Sequence, residues 1–278
     1  MKQLDQYEKW NPRFSDLAHK FLNDMELKEY LSINPETISS QLKDLLEKPI
    51  ANFTVVNEVY FRARWSQIME ILHPENDLTL LEIASGDADM IVQAMARTYE
   101  NGKYITANMN KLLSKSLIHK TKDLPIAVQI IEDDAISIDQ YLGIESVDMI
   151  AFQHAVNDVL QAILCDQEGI DTIYSDWMET LPRMIEILQK VTIDNNLEAR
   201  VKIPFLSLLN SMQKVLKKGG MMVMNHYMFQ LDLDWGYPPY LFEFLIPIVR
   251  EWVKEIPEIK EVYYDGFDQN WWMFLEKI

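Results

Sequence analysis

Residues 78–90, Leu-Thr-Leu-Leu-Glu-Ile-Ala-Ser-Gly-Asp-Ala-Asp-Met, constrain this chain more than any other stretch. Leu78, Leu80, Leu81 and Ile83 make the short apolar run of a strand buried on both faces. Ala84, Ser85, Gly86 and Ala88 follow and keep side chains small where backbone has to approach a ligand. Val92, Met95, Ala96 and Tyr99 then recur at helical spacing. A strand–loop–helix unit of this kind turns the free N–H groups of a helix start toward a ligand. A strand this apolar also needs a helical layer on each side of its sheet.

The rest of the chain supplies those layers. Residues 1–76 read as helices: Phe14, Leu17, Phe21 and Leu22 share one spacing, and Asn34-Pro35-Glu36 is a capped helix start. Ile38, Leu42, Leu45 and Leu46 make the apolar face of that helix. A longer helix over residues 56–72 carries Phe61, Trp65, Ile68 and Leu72 on one stripe, with Arg62 off it. After residue 78, strands and helices alternate, which predicts a parallel sheet. The further strands are expected at 104–107, 127–131, 147–152 and 221–224. A helix led by Trp177 lies within an expected insertion or lid at about 160–202. Pro204 is expected to open the next helix, with Lys217, Lys218 and Gly219 ending it. Two late strands, 261–264 and 271–275, flank an Asp265-Gly266 turn and form a hairpin.

Composition narrows the function. With 48% apolar residues the chain can bury a sizeable core, and a net charge of −17 disfavours binding to a phosphate backbone. A nucleic-acid partner is therefore not expected. The single cysteine, Cys165, suits a reducing compartment and reads as a buried thiol. The segment 240–253 is broken by Glu243, Pro247, Arg250 and Glu251, so no membrane span is expected. These features predict a cytoplasmic protein, with a homodimer compatible with the apolar N-terminal helices. No metal-ligand spacing is present.

Taken in order, these motifs resemble those of the class I S-adenosylmethionine-dependent methyltransferases. Glu82-Ile-Ala84-Ser-Gly86-Asp-Ala88 resembles the family's first motif, an acid followed by alternating small residues. Asp133-Asp134-Ala135 resembles the acid–alanine pair that reads adenine. Asp148-Met-Ile-Ala-Phe-Gln153 resembles strand four, and Lys217-Lys-Gly-Gly220 the lead-in to strand five. The resemblance covers about residues 78–278. It implies a doubly wound, mostly parallel seven-stranded Rossmann-like sheet at 77–278 with a helical cap at 1–76. It further implies S-adenosylmethionine held along Glu82, Ala84, Gly86, Asn108, Met109, Asp133, Asp134, Ala135 and Gln153. Two positions depart from the pattern. Ala84 and Ala88 replace glycines, which costs little where φ is negative. Asn108 stands where the family has an acid for the ribose hydroxyls, and an amide offers one acceptor oxygen and no charge.

Methyl transfer from a sulfonium requires positioning, and a base only where the acceptor must lose a proton. Three residues are candidates for that base: His154 and Asp158 after strand four, and His226 after strand five. Tyr60, Arg64 and Tyr227 are candidates for contact with a small-molecule substrate. Two other readings stand beside this one: a non-catalytic member of the fold that binds a partner, favoured by Asn108, and a nicotinamide-dependent oxidoreductase. The latter wants a three-glycine loop where only Gly86 is present.

Overall fold

The structure, a computed structural model, describes residues 14–45, 49–51 and 53–278; Leu46 lies outside them. Its centre is a seven-stranded sheet in the order β3-β2-β1-β4-β5-β7-β6. The strands are β1 (Thr79–Ile83), β2 (Lys103–Ala107), β3 (Ala127–Ile131), β4 (Val147–Gln153), β5 (Leu216–Asn225), β6 (Ile259–Val262) and β7 (Trp272–Lys277). The first five are parallel, and β7 pairs antiparallel with both β5 and β6. The predicted hairpin is present, with each strand shifted slightly from the expected bounds.

Alternation along each strand sends side chains to two separate cores. Leu81, Ile83, Ile105, Ile150, Phe152 and Met222 face one. Leu80, Tyr104, Met149, Ala151 and Val223 face the other. The second face is covered by α4 (Val55–Leu72) and α5 (Met90–Ala96), with α1 (Phe14–Phe21), α2 (Asp24–Ser32) and α3 (Pro35–Asp44) packed around α4. Asn34 caps α3 by accepting from the N–H of Thr37 at 2.8 Å, with Pro35 at the first helical position, where it was predicted. One apolar stripe was expected on α4; instead 13 of its 18 residues are buried, Arg62 among them. The helix is enclosed by the sheet on one side and the N-terminal helices on the other, so its polar residues must find partners inside.

The opposite face is covered by α7 (Val156–Gln167), α8 (Trp177–Ile193) and α9 (Leu197–Val215), together with α11 (Pro239–Val253). Helix α6 (Lys111–Thr121) connects β2 to β3, and α10 (Gln230–Asp234) follows β5. Leu181, Met184, Ile185, Leu188 and Val191 of α8 are buried in the main core, so this helix is part of the covering layer. Helix α9 begins at Leu197, not at Pro204, which lies inside it. Proline has no N–H for the carbonyl of Arg200 one turn back. That carbonyl is instead satisfied by Gln167 Nε2 at 3.0 Å, which lets the helix run through.

Lys217 and Lys218 were expected in a helical last turn; they lie instead in an irregular segment of β5, where its register with β4 shifts. Gly220 sits there because a Cβ would come within 2.8 Å of Lys217 O and 2.9 Å of Asp148 O. Lys217 pairs with Asp148 across the same irregularity at 2.5 Å.

Candidate functional site

The loops at the C-terminal ends of β1, β2, β4 and β5 meet at one edge of the sheet, where open α/β sheets bind ligands. In the loop after β1, Ala84 and Gly86 both have positive φ, at 51° and 59°. The condition under which alanine costs little in this loop, a negative φ, is not met at Ala84. A left-handed alanine costs about 1 kcal/mol, so the loop holds it against its preference. The constraint comes from both sides, since Ala84 N–H donates to Ala107 O at 3.0 Å while Asn108 grips Gly86.

Asn108 is buried at the tip of β2, and both ends of its amide are used. Its Oδ1 accepts from Gly86 N–H at 3.0 Å and from Ser85 Oγ at 3.3 Å, and its Nδ2 donates to Gly86 O at 2.6 Å. The side chain is turned into the loop. Met109 beside it is half-buried. The next residue, Asn110, caps α6 and donates to Thr172 O and Ser175 O, fastening the α7–α8 connection over the tip of β2. The sequence reading missed that tie.

Glu82 points to the α4 face, where it is buried and accepts from Tyr104 OH at 2.6 Å. Burial pushes its carboxyl up to about 8, with Asp89 adding to the rise against the lowering effect of the Tyr104 hydrogen bond. After β3, Asp133 accepts from Tyr141 OH at 2.5 Å, and Asp134 Oδ1 caps the following 3-10 turn at Ile136 N–H. Ala135 is buried behind them. At the end of β4, Gln153 Oε1 accepts from Trp65 Nε1 at 2.5 Å and Asn225 Nδ2 at 2.7 Å, joining α4, β4 and β5.

Beyond Gln153 the chain turns sharply, with His154 at φ 53° and its N–H held by Asn225 Oδ1 at 2.9 Å. His154 Nδ1 accepts from Tyr227 N–H at 3.1 Å, and its Nε2 lies 3.6 Å from Asp232 Oδ2. A backbone N–H can only donate, so Nδ1 is the acceptor here and Nε2 is the ring nitrogen that faces Asp232. His154 is therefore placed as a donor on that side, and the proton-accepting atoms nearby are carboxylates. Asp158, one turn into α7, is partly buried, and burial raises its carboxyl to about 7; His154 opposes the rise and Asp232 adds to it. A base matched to neutral pH is the more effective one, which moves the emphasis from His154 to Asp158.

His226 is fully buried and stacks between this group and the core, 4.6 Å from His154 and 4.8 Å from Phe242. The substrate candidates are also inside. Tyr60 and Tyr227 are buried, with Phe61 5.0 Å from Tyr227. Arg64 donates to Gly266 O at 2.6 Å and lies 4.0 Å over the Phe267 ring, which ties α4 to the turn between β6 and β7. Asp232, Asn157 and Gln161 were missed from the sequence. Nothing in the sequence pattern singles them out, and only folding places Asp232 beside His154, Asn157 on Asp158 and Gln161 on Tyr237. Among the described residues no group of three His, Cys, Asp or Glu side chains is disposed to hold a metal, and no helix is long and apolar enough to cross a membrane.

No protein-family model matches this chain, and no curated protein sequence is similar to it at a significant level. Solved structures are. A SAM-dependent methyltransferase from Aquifex aeolicus aligns over 88% of this chain and 98% of its own, with a TM-score of 0.50 and 10% identity. The chain has the class I methyltransferase fold. A Methanococcus maripaludis protein provisionally described as an S-adenosyl-L-methionine-dependent methyltransferase aligns over 78% of this chain and 84% of its own, with a TM-score of 0.49 and 12% identity. An rRNA methylase from Streptococcus thermophilus covers 78% of this chain and 93% of its own, with a TM-score of 0.42 and 12% identity.

Proposed function

We propose that this chain is an S-adenosylmethionine-dependent methyltransferase acting on a small molecule. What supports this reading is the pair of partly exposed His154 with buried Asp232, together with Asp158, on the same sheet edge as a small-residue loop and under this strand order. The cofactor supplies an electrophilic methyl group on a sulfonium. By the family resemblance, Asp133, Asp134 and Ala135 would hold its adenine end and the 84–88 loop its amino-acid end. The chain's own residues orient the acceptor, and Asp158 takes a proton from it where one must leave. The −17 charge supports a small molecule over a nucleic acid.

A second reading is favoured by one observation. Asn108 is locked onto Gly86 and cannot also hold both ribose hydroxyls. A protein that keeps the fold but binds something else would look like this. Calorimetry with S-adenosylmethionine and S-adenosylhomocysteine separates the two. Micromolar binding is expected of the methyltransferase; no heat with either ligand at millimolar concentration would sink it.

A further inference from the structure

The connection between α7 and α8 crosses the tip of β2, and three hydrogen bonds hold it there. Asn110 Nδ2 donates to Thr172 O at 3.0 Å and to Ser175 O at 2.9 Å, and Lys111 N–H donates to Ile173 O at 2.9 Å. Packing adds little: of Asp171–Ser175 only Thr172 is buried, and Tyr174 is 71% exposed. A segment with so little buried surface opens locally, ahead of the elements around it. Its ends are fixed. At one, Gly169 with φ 67° stops α7, and Ile170 N–H closes the stop on Cys165 O at 2.8 Å. At the other, Asp176 caps α8 by accepting from the N–H groups of Met178 and Glu179 at 2.8 and 3.2 Å. Between them Asp171 Oδ1 accepts from Ile173 N–H at 2.8 Å and Tyr174 N–H at 3.1 Å, a turn that does not depend on α6.

The helix beneath this strap also holds the small-residue loop. Ser116 Oγ and Lys120 Nζ donate to Asp87 Oδ2 at 3.0 and 2.8 Å, and Leu113 Cδ1 lies 3.5 Å from where a Cβ on Gly86 would stand. Lys111 Nζ reaches Glu132 O at 2.8 Å, just past the end of β3. The strap therefore stands among the loops after β1, β2 and β3, on the same edge of the sheet as the candidate site.

We propose that Asp171–Ser175 is a lid, latched by the Asn110 amide, that opens as one piece to admit a ligand to the tip of β2. Latch and helix cap use opposite ends of one side chain. Asn110 Oδ1 accepts from the N–H groups of Leu112 and Leu113, each at 3.0 Å, while Nδ2 holds two strap carbonyls. A carboxylate in its place keeps the cap but has no hydrogen to give, and its second oxygen faces two carbonyl oxygens. Asn110→Asp therefore releases the strap and leaves the start of α6 intact. The ligand's identity rests on the methyltransferase reading, on which it is the nucleoside end of S-adenosylmethionine, entering beside Met109. The lid itself does not depend on that reading.

Amide hydrogen exchange on the full chain, read residue by residue by NMR, tests the lid with no ligand present. In Asn110→Asp the Lys111 amide, which is bonded to the strap, is expected to exchange about tenfold faster. Leu112 and Leu113, bonded to the cap oxygen, are expected to keep their wild-type rates, which also shows that the variant folds. Chymotryptic cleavage after exposed Tyr174 is expected to quicken by about the same factor as Lys111 exchange. Unchanged exchange at Lys111, or equal acceleration at Leu112 and Leu113, would overturn the lid. Stopped-flow binding of S-adenosylhomocysteine then reads the gate, with association expected to be about tenfold faster for the variant than for wild type. Equal association rates would overturn the gate and leave the methyltransferase reading standing. If the variant opens by exchange and neither protein binds S-adenosylhomocysteine at millimolar concentration, that reading falls and the lid stands, opening for a different ligand.

Discussion

Asn108 and Gly86 form a closed pair: the asparagine amide gives one hydrogen bond to the glycine carbonyl and takes one from its N–H. The pair joins the tip of β2 to the loop after β1, the place where the fold's usual acid would face outward to a ribose. Asn108→Ala removes both bonds and leaves the partly buried carbonyl and N–H of Gly86 without this partner. The expected loss is about 1–3 kcal/mol, read as a lowered urea midpoint at unchanged slope. An unchanged midpoint would show that the amide does not clamp the loop.

Glu82 makes folding depend on pH in an unusual direction. Its carboxyl rises from 4.5 to about 8 on folding, so between those values the folded chain keeps a proton that the unfolded chain has released. The stability tied to this group is complete below about pH 4.5 and is lost as pH rises through about 8. The slope is about 1.4 kcal/mol per pH unit for one proton. Glu82→Gln keeps an acceptor for Tyr104 OH and removes the titration. The variant is expected to melt at a higher temperature relative to wild type at pH 9 than at pH 6. A constant difference between the two pH values would contradict the buried, protonated state.

Arg62 sits among three carboxylates. It pairs with Glu26 at 2.7 Å, Glu58 at 3.1 Å and Asp89 at 3.5 Å, and so links α2, α4 and the start of α5. Arg62→Met leaves three acids facing one another without the buried cation between them. The expected cost near pH 8 is about 3–5 kcal/mol in urea unfolding. Burial raises Glu58 to about 7, with Arg62 opposing, so at pH 5 it is protonated and the deficit should shrink. A pH-independent deficit would mean that lost packing, not charge, is what the arginine supplies.

How legible these features were in the sequence differs by kind. Strand β3 occupies residues 127–131 as predicted, because a compact apolar run has only one way to join a parallel sheet. The Asn34-Pro35 start held because capping is local chemistry. Arg62 was put off the buried stripe by the periodicity argument, which assigns one face to a helix and could not show that a second layer covers the other. The position of Asn108 was readable, but its orientation was not, since which way an amide turns depends on Gly86 across the loop. Asp232 was not legible as a site residue at all. It lies in α10, after β5, and reaches His154 only because β4 and β5 are neighbours in the sheet.

The last prediction concerns a glycine that the sequence pattern assigned to a helix stop. Gly220 lies where β5 shifts register against β4, and an added Cβ would meet Leu216 Cδ1 at 2.8 Å, Lys217 O at 2.8 Å and Asp148 O at 2.9 Å. Two of those three atoms are backbone and cannot move aside as a flexible side chain can. The irregular segment also sets the alignment of Met221 to Asn225 beside β4, which carries Asn225 to Gln153 and the His154 turn. Gly220→Ala is therefore expected to cost about 1–3 kcal/mol in stability through overpacking. Gly219→Ala next to it meets no atom within 4 Å but has φ 75°, so its cost is conformational, about 1 kcal/mol. Chemical denaturation of both variants decides the matter. A Gly220→Ala protein as stable as wild type, or less affected than Gly219→Ala, would mean that close backbone approach is not what fixes the register of β5.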